Sequence, residues 1–158
     1  MRTIPNKIPS IPFTKDAYEK IGQELKRLTK LREEVVIRLS VAREMGDLSE
    51  NGAYRYAKQE LGDISRQLRD IHYKLRFGHV VQRQDNKDTI GFGSTITLKN
   101  DTRTLTFLLV SEYESNPKEN KLSMSSPIGK AVFGKKVGDI VEVALPSSTV
   151  TYTISDVT

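Results

Sequence analysis

The sequence predicts an α+β chain in two parts, a helical hairpin in residues 1–78 and a small antiparallel sheet domain with one short helix in residues 79–158. Three observations lead there. Apolar residues in 14–76 recur at alternating spacings of four and three, the pattern of a helix with one sticky seam. A short polar break, Gly46-Asp47-Leu48-Ser49, divides that stretch in two. Near Phe77-Gly78 the period changes, and short β-branched runs between turn residues take over.

In the first helix the seam runs through Ile21, Leu25, Leu28, Val35, Leu39 and Ala42, with Arg32 at the one missing apolar step. In the second, Ala57, Leu61, Ile64, Leu68, Ile71 and Leu75 follow the same alternation without a gap. Thr14 is placed to cap the first helix, with Lys15 and Asp16 opening it. At the break, Gly46 suits a left-handed helix end, Ser49 an N-cap, and Glu50 the positive start of the second helix. So short a connection makes the helices antiparallel neighbours. Each is then about 25–30 residues, or roughly 40–45 Å at 1.5 Å per residue. With one seam and little else to bury, the hairpin should project as a rod.

Beyond residues 78–82 the strand candidates are Ser94–Leu98, Leu105–Val110, Ile140–Leu145 and Thr149–Val157. In the third, Ile140, Glu142 and Ala144 face one way and Val141, Val143 and Leu145 the other. Asn100-Asp101, Asn116-Pro117 and Pro146-Ser147-Ser148 read as turns, and so do Gly134 and Gly138. Ile128–Phe133 reads as the short helix, packed against the sheet.

Composition narrows the class of function. The chain has no cysteine, so disulfides and thiolate metal sites are excluded and a reducing cytoplasm is expected. No apolar run is long enough to span a bilayer, and the N-terminus lacks the apolar core of a secretory signal. Residues 1–78 hold 16 Lys/Arg against 11 Asp/Glu, while 79–158 hold nine of each, so the whole excess of +5 sits on the helical part. Such a surface suits a polyanion, nucleic acid above all, or simply a solvated helix face.

Asp47 and Glu50 stand three residues apart at the turn, so both carboxylates can point off the same end of the hairpin. Hard oxygen ligands without His or Cys suit Mg²⁺, which takes one or two carboxylates and keeps several waters. Two carboxylates on an exposed tip hold the ion poorly, so a partner would have to complete the site. The same residues also read as a turn aspartate and a helix-start glutamate, and spacing does not choose between the two readings.

The run Ala42-Arg43-Glu44-Met45-Gly46-Asp47-Leu48-Ser49-Glu50-Asn51, followed by Ala53-Tyr54, closely resembles the tip of the Gre transcript-cleavage factors of bacteria. Ser126-Pro127-Ile128-Gly129-Lys130-Ala131, then Gly134-Lys135-Lys136-Val137-Gly138-Asp139, resembles the C-terminal domain of that family. The likeness spans about Thr14 to Val157. It implies a coiled-coil hairpin and an FKBP-like domain that docks on RNA polymerase, the hairpin reaching through the secondary channel to the active centre. There Asp47 and Glu50, matching the two acidic positions of the family, would share a Mg²⁺ with the polymerase. The polymerase would then cleave backtracked RNA from its 3′ end. The chain would be an accessory factor, not an enzyme, and a monomer with no membrane partner.

Lys58 matches a basic position near the extruded RNA, and Arg55 lies beside it; both are assigned to RNA. Arg66, Arg69, Lys74 and Arg76 read as a solvated face. Tyr54 and Tyr56 could stack on a base, although Tyr54 also fits the end of the seam. Ser126 and Pro127 match the loop that contacts polymerase, and they equally suit an N-cap followed by Pro at the first helical position. His72 and His79 have no second ligand at helical spacing and receive no role. The lead containing Pro5, Pro9 and Pro12 has none either. Gly52 inside the second helix would cost about 1 kcal/mol relative to Ala. Two other functions compete: a Gre-like inhibitor blocking the same channel, whose tip would carry more acids, and an FKBP-like prolyl isomerase or chaperone. The latter lacks a rich aromatic set, having only Phe92, Phe107, Tyr113, Phe133 and Tyr152 from residue 92 onward.

Overall fold

The computed structural model describes residues 9–45, 51–82, 89–145 and 148–158. Contacts divide the chain into two compact units, one holding Tyr18–Gly78 and the other Ile11–Ala17 with His79–Thr158.

The first unit is the hairpin of α1 (Lys15–Glu44) and α2 (Gly52–Phe77), 30 and 26 residues long. Its buried residues are Leu28, Val35 and Ala42 on α1 and Ala57, Ile64 and Ile71 on α2. Within each helix they stand one heptad apart, and Leu31, Leu39, Leu61 and Leu68 pack beside them. Leu31, one place before Arg32, fills the step that the sequence pattern leaves empty. Polar ties fix the antiparallel register. The Tyr18 hydroxyl donates to the Leu75 carbonyl at 3.3 Å, and Arg38 bridges to Glu60 at 3.0 Å. None of the described helices is long and apolar enough to cross a membrane.

In the second unit a five-stranded sheet has the order β5-β4-β3-β7-β6. Its strands are β3 (Thr95–Lys99), β4 (Thr104–Val110), β5 (Lys121–Ser123), β6 (Ile140–Leu145) and β7 (Ser148–Val157). The pairings are antiparallel except β4 with β5, which is parallel. The chain reverses through a 3₁₀ turn at Pro117–Glu119, and Asn120 takes the left-handed conformation (φ 54°) before β5 starts. Sequence reading overlooks β5 because three residues carry too little alternation to register.

Strand β7 shows how the core is filled. Tyr152, Ile154 and Val157 are all buried, which strict alternation forbids. A bulge resolves this: Leu98 pairs with Ile154 and Thr97 with Asp156, leaving Ser155 as the extra residue, with its hydroxyl donating to the Thr97 carbonyl at 3.1 Å. The shift turns Val157 to the same face as Ile154. These residues meet Ile90, Ile96, Leu98, Leu109, Val141 and Val143, and Val132 of α3 (Pro127–Val132) closes the cluster. The exposure of Ile140, Glu142 and Ala144 matches the alternation read for that strand.

A separate two-stranded sheet joins β1 (Ile11–Phe13) to β2 (Gly78–Val80). Ile11–Phe13, at the end of the Pro-containing lead, therefore has a structural role that the sequence conceals. Pro12 lacks an N–H, but an edge strand tolerates that, and the flanking Ile11 and Phe13 are buried. Thr14 follows and caps α1 through a bond from the Ala17 amide, as its position predicts. The Glu114 carboxylate accepts from both the Thr14 amide and the Thr14 hydroxyl.

The seam makes a direct prediction. Ile64→Ala should lower hairpin stability by about 2–5 kcal/mol through loss of buried contacts. Urea unfolding followed by helical circular dichroism measures it, and a midpoint equal to wild type would show that the seam is not what holds the helices together.

Candidate functional site

Asp47 and Glu50, together with Gly46, Leu48 and Ser49, lie outside the described residues. The structure describes the frame on either side of them. Helix α1 runs to Glu44, and Met45 follows with its amide donating to the Ala42 carbonyl at 3.3 Å. Helix α2 begins later than the sequence reading places it. The N-cap is Asn51, not Ser49, and the first turn contains no acid, so Glu50 precedes the cap. The connection is accordingly longer than four residues. Gly52 sits at the first helical position with open space where a Cβ would project, so the penalty of an interior glycine does not apply there.

Asn51 is the residue that sequence reasoning missed. Its Oδ1 accepts from the Tyr54 amide at 3.0 Å, and its Nδ2 donates to the Ala42 carbonyl at 2.8 Å. Ser-Glu-Asn offers two good capping side chains, and the preference for Ser, Thr, Asp or Asn cannot rank them. An amide carries both a donor and an acceptor, which is the signal that favours Asn51 once α1 lies alongside.

Past the cap, Arg55 and Lys58 project from α2 three residues apart and exposed, and neither is paired with a described acid. Arg66 differs: it is paired with Asp63, which fits the solvated-face reading. Arg76 stacks 5.3 Å from the Phe77 ring. Of the two tyrosines, Tyr54 is half-buried and Tyr56 is 67% exposed. Tyr56 lines a shallow apolar groove of about 340 Å³ with Ile37, Val41, Met45 and Ala53, over Ala42 and Ala57. Ion pairs shift titration elsewhere. The bond from Arg27 holds the Glu24 carboxyl below its ordinary value, and Glu119 raises the Lys121 ammonium.

The second candidate element is Ser126-Pro127. Ser126 is the N-cap of α3 and Pro127 its first residue, as the sequence suggests. The Ser126 hydroxyl accepts from the Gly129 amide at 3.0 Å and donates to the Ser123 carbonyl at 2.7 Å. Gly129 allows this close approach, because a Cβ there would stand 2.1 Å from the Ser123 carbonyl oxygen. Pro127 is left exposed on a turn braced from both sides. Gly134 and Gly138 have φ of 75° and 92°, so the turn reading holds for both.

No group of three His, Cys, Asp or Glu among the described residues could hold a metal ion. The aromatic residues of the second unit are spread among different surroundings, with Phe107 packed against the core cluster. Tyr152 lies in the core, Tyr113 stands against Phe13 with ring centres 6.4 Å apart, and Phe133 is exposed.

A two-helix coiled hairpin, joined to a curled and mostly antiparallel sheet domain, defines an architecture that comparison with known proteins then names. Residues 11–80 match the family model described as "Transcription elongation factor, N-terminal", and residues 84–158 match "Transcription elongation factor, GreA/GreB, C-term". The chain belongs to the GreA/GreB family of transcription elongation factors. It is 41% identical over 153 residues to the transcription elongation factor GreA of Pelobacter propionicus, covering 94% of this chain and 96% of that one. To GreA of Neorickettsia sennetsu it is 40% identical over 148 residues, covering 91% and 93%. Among solved structures, GreA factor homolog 1 of Thermus thermophilus aligns with 25% identity and a TM-score of 0.45, over 94% of this chain and 99% of that one.

The braced turn is testable. Gly129→Ala should destabilise the second unit by about 1–3 kcal/mol, the cost of overpacking. Ser126→Ala should cost about 1 kcal/mol through loss of the cap. Thermal unfolding of both variants decides it, and a Gly129→Ala protein as stable as wild type would contradict the close approach.

Proposed function

We infer that this protein binds bacterial RNA polymerase in the cytoplasm, enters its secondary channel, and stimulates Mg²⁺-dependent cleavage of backtracked nascent RNA by the polymerase. The observation that carries this reading is the hairpin. Its seam runs on through Ala42 and Ala57, the last buried positions before the connection that bears Asp47 and Glu50. Membership of the elongation-factor family supports the partner, and the tip sequence supports the chemistry.

The donor set fits Mg²⁺ in one respect and is incomplete in another. Asp47 and Glu50 would supply two hard oxygens, and no described cluster supplies more, so the remaining ligands would come from the polymerase. When bound, the ion would help activate a water and balance charge on the phosphodiester. The residues of the chain position and screen. A packed two-helix seam resists bending, so the two carboxylates arrive at a defined depth. Arg55 and Lys58, exposed on the adjoining helix, would hold RNA phosphates and leave base identity unread. Ser126 and Pro127 would meet the polymerase from the second unit, on a turn whose geometry is already set. In this scheme the protein owns no complete active site. It acts as an accessory factor, with RNA as the substrate of its partner.

An inhibitor occupying the same channel would use the same arm, and the two outcomes differ in a single assay. Purified elongation complexes stalled by backtracking, supplied with Mg²⁺, should shorten their RNA from the 3′ end when the wild-type protein is added. Asp47→Ala/Glu50→Ala should still compete for polymerase but lose about a hundredfold or more of the stimulation. Undiminished cleavage with the double variant would refute the tip assignment, and slower cleavage with the wild type would favour the inhibitor.

A further inference from the structure

Where α1 gives way to α2, one side chain completes both helices. The last four carbonyls and the first four amides of any helix have no partner within it. Ala42 belongs to the former in α1 and Tyr54 to the latter in α2, and Asn51 bonds both. The Asn51 carbonyl also accepts from the Arg55 amide at 3.2 Å, so the residue is anchored through its main chain as well. Between the two tied residues run 43–50, the segment with both tip acids. Holding the ends of a loop at one separation removes every conformation in which those ends part. Ala42 and Ala57 are small and buried, 4% and 3% exposed, and both floor the same groove, so the helices come close at this level.

We propose that Asn51 is the positioning residue of the hairpin tip: its amide closes the neck between α1 and α2 and thereby sets how Asp47 and Glu50 are presented. Neck closure stands on the bonds alone. Its consequence for RNA rests on the cleavage-factor reading above. Among side chains that cap helices well, Asn carries its acceptor and its donor on two separate atoms, so Oδ1 can bond Tyr54 while Nδ2 reaches across to Ala42. A Ser or Thr at this place caps α2 but is too short to span the neck.

The experiment therefore uses full-length Asn51→Ser and Asn51→Thr, both expected to keep α2 folded. In the free proteins, hydrogen exchange at the Met45 amide, which shares the Ala42 carbonyl, should quicken about tenfold while the Arg55 amide and helical circular dichroism stay at wild-type values. In backtracked complexes, polymerase binding should be retained, but the Mg²⁺ concentration giving half-maximal cleavage should rise about tenfold, the size of effect expected when support behind a metal ligand is lost. Wild-type exchange at Met45 in both variants would overturn neck closure. Faster exchange with an unchanged Mg²⁺ requirement would overturn the positioning role while leaving the cleavage reading intact. Full activity of Asp47→Ala/Glu50→Ala in the same assay would overturn both together.

Discussion

The heptad seam between α1 and α2 is the constraint from which the rest follows. Two isolated helices of this composition, rich in charge and with one narrow apolar stripe, gain little by folding alone. Set against each other they bury Leu28, Val35, Ala42, Ala57, Ile64 and Ile71 and little else. That economy leaves the outer surface free to carry the cationic excess of the chain. It also makes register the decisive quantity. A slip by one residue would carry the buried positions off the contact line, and the Tyr18, Arg38 and Asn51 bonds each oppose such a slip at a different height along the pair.

The sheet domain solves a different problem, that of making a rigid surface from short strands. Its core is continuous from Ile90 to Val157, and the Ser155 bulge lets a ten-residue strand bury residues of both parities. Gly129 brings the first turn of α3 down onto the Ser123 and Met124 backbone, which is why Ser126 can bond in two directions and Pro127 is held in place. The sheet domain and the hairpin share a logic: a candidate contact sits at the end of a helix, where orphan backbone groups make hydrogen bonding local and strong.

A factor that lends ligands to another active site must supply geometry more than affinity. Under the proposed function, binding Mg²⁺ tightly by itself would be of no use, since the ion would also have to serve the polymerase. In that proposal, two carboxylates borne by a packed hairpin, with Arg55 and Lys58 exposed on α2, would suit that division of labour. The protein then needs strength in its seam and accuracy at its neck.

Much of this was legible in the residues. The two helices, the seam, the change of period near residue 78, four of the strands and the cap of α3 by Ser126 all follow from spacing and turn chemistry, because each depends on neighbours within a few positions. The family was legible in the runs around Asp47 and Ser126. Other features required the fold. Asn51 replaces Ser49 as the cap because the Ala42 carbonyl is within reach of its amide, and that carbonyl lies nine residues back on another helix. Ile11–Phe13 becomes a strand because Gly78–Val80 comes alongside, a pairing across more than sixty residues. Leu31, the parallel β5 and the Ser155 bulge are likewise decided by what lies opposite. The sequence alone determined the two long helices, four of the strands and most of the residues that face inward, since periodicity encodes a face. Only the tertiary structure decided register, the short strands, the cap of α2 and close approaches, because those depend on the partner a face meets.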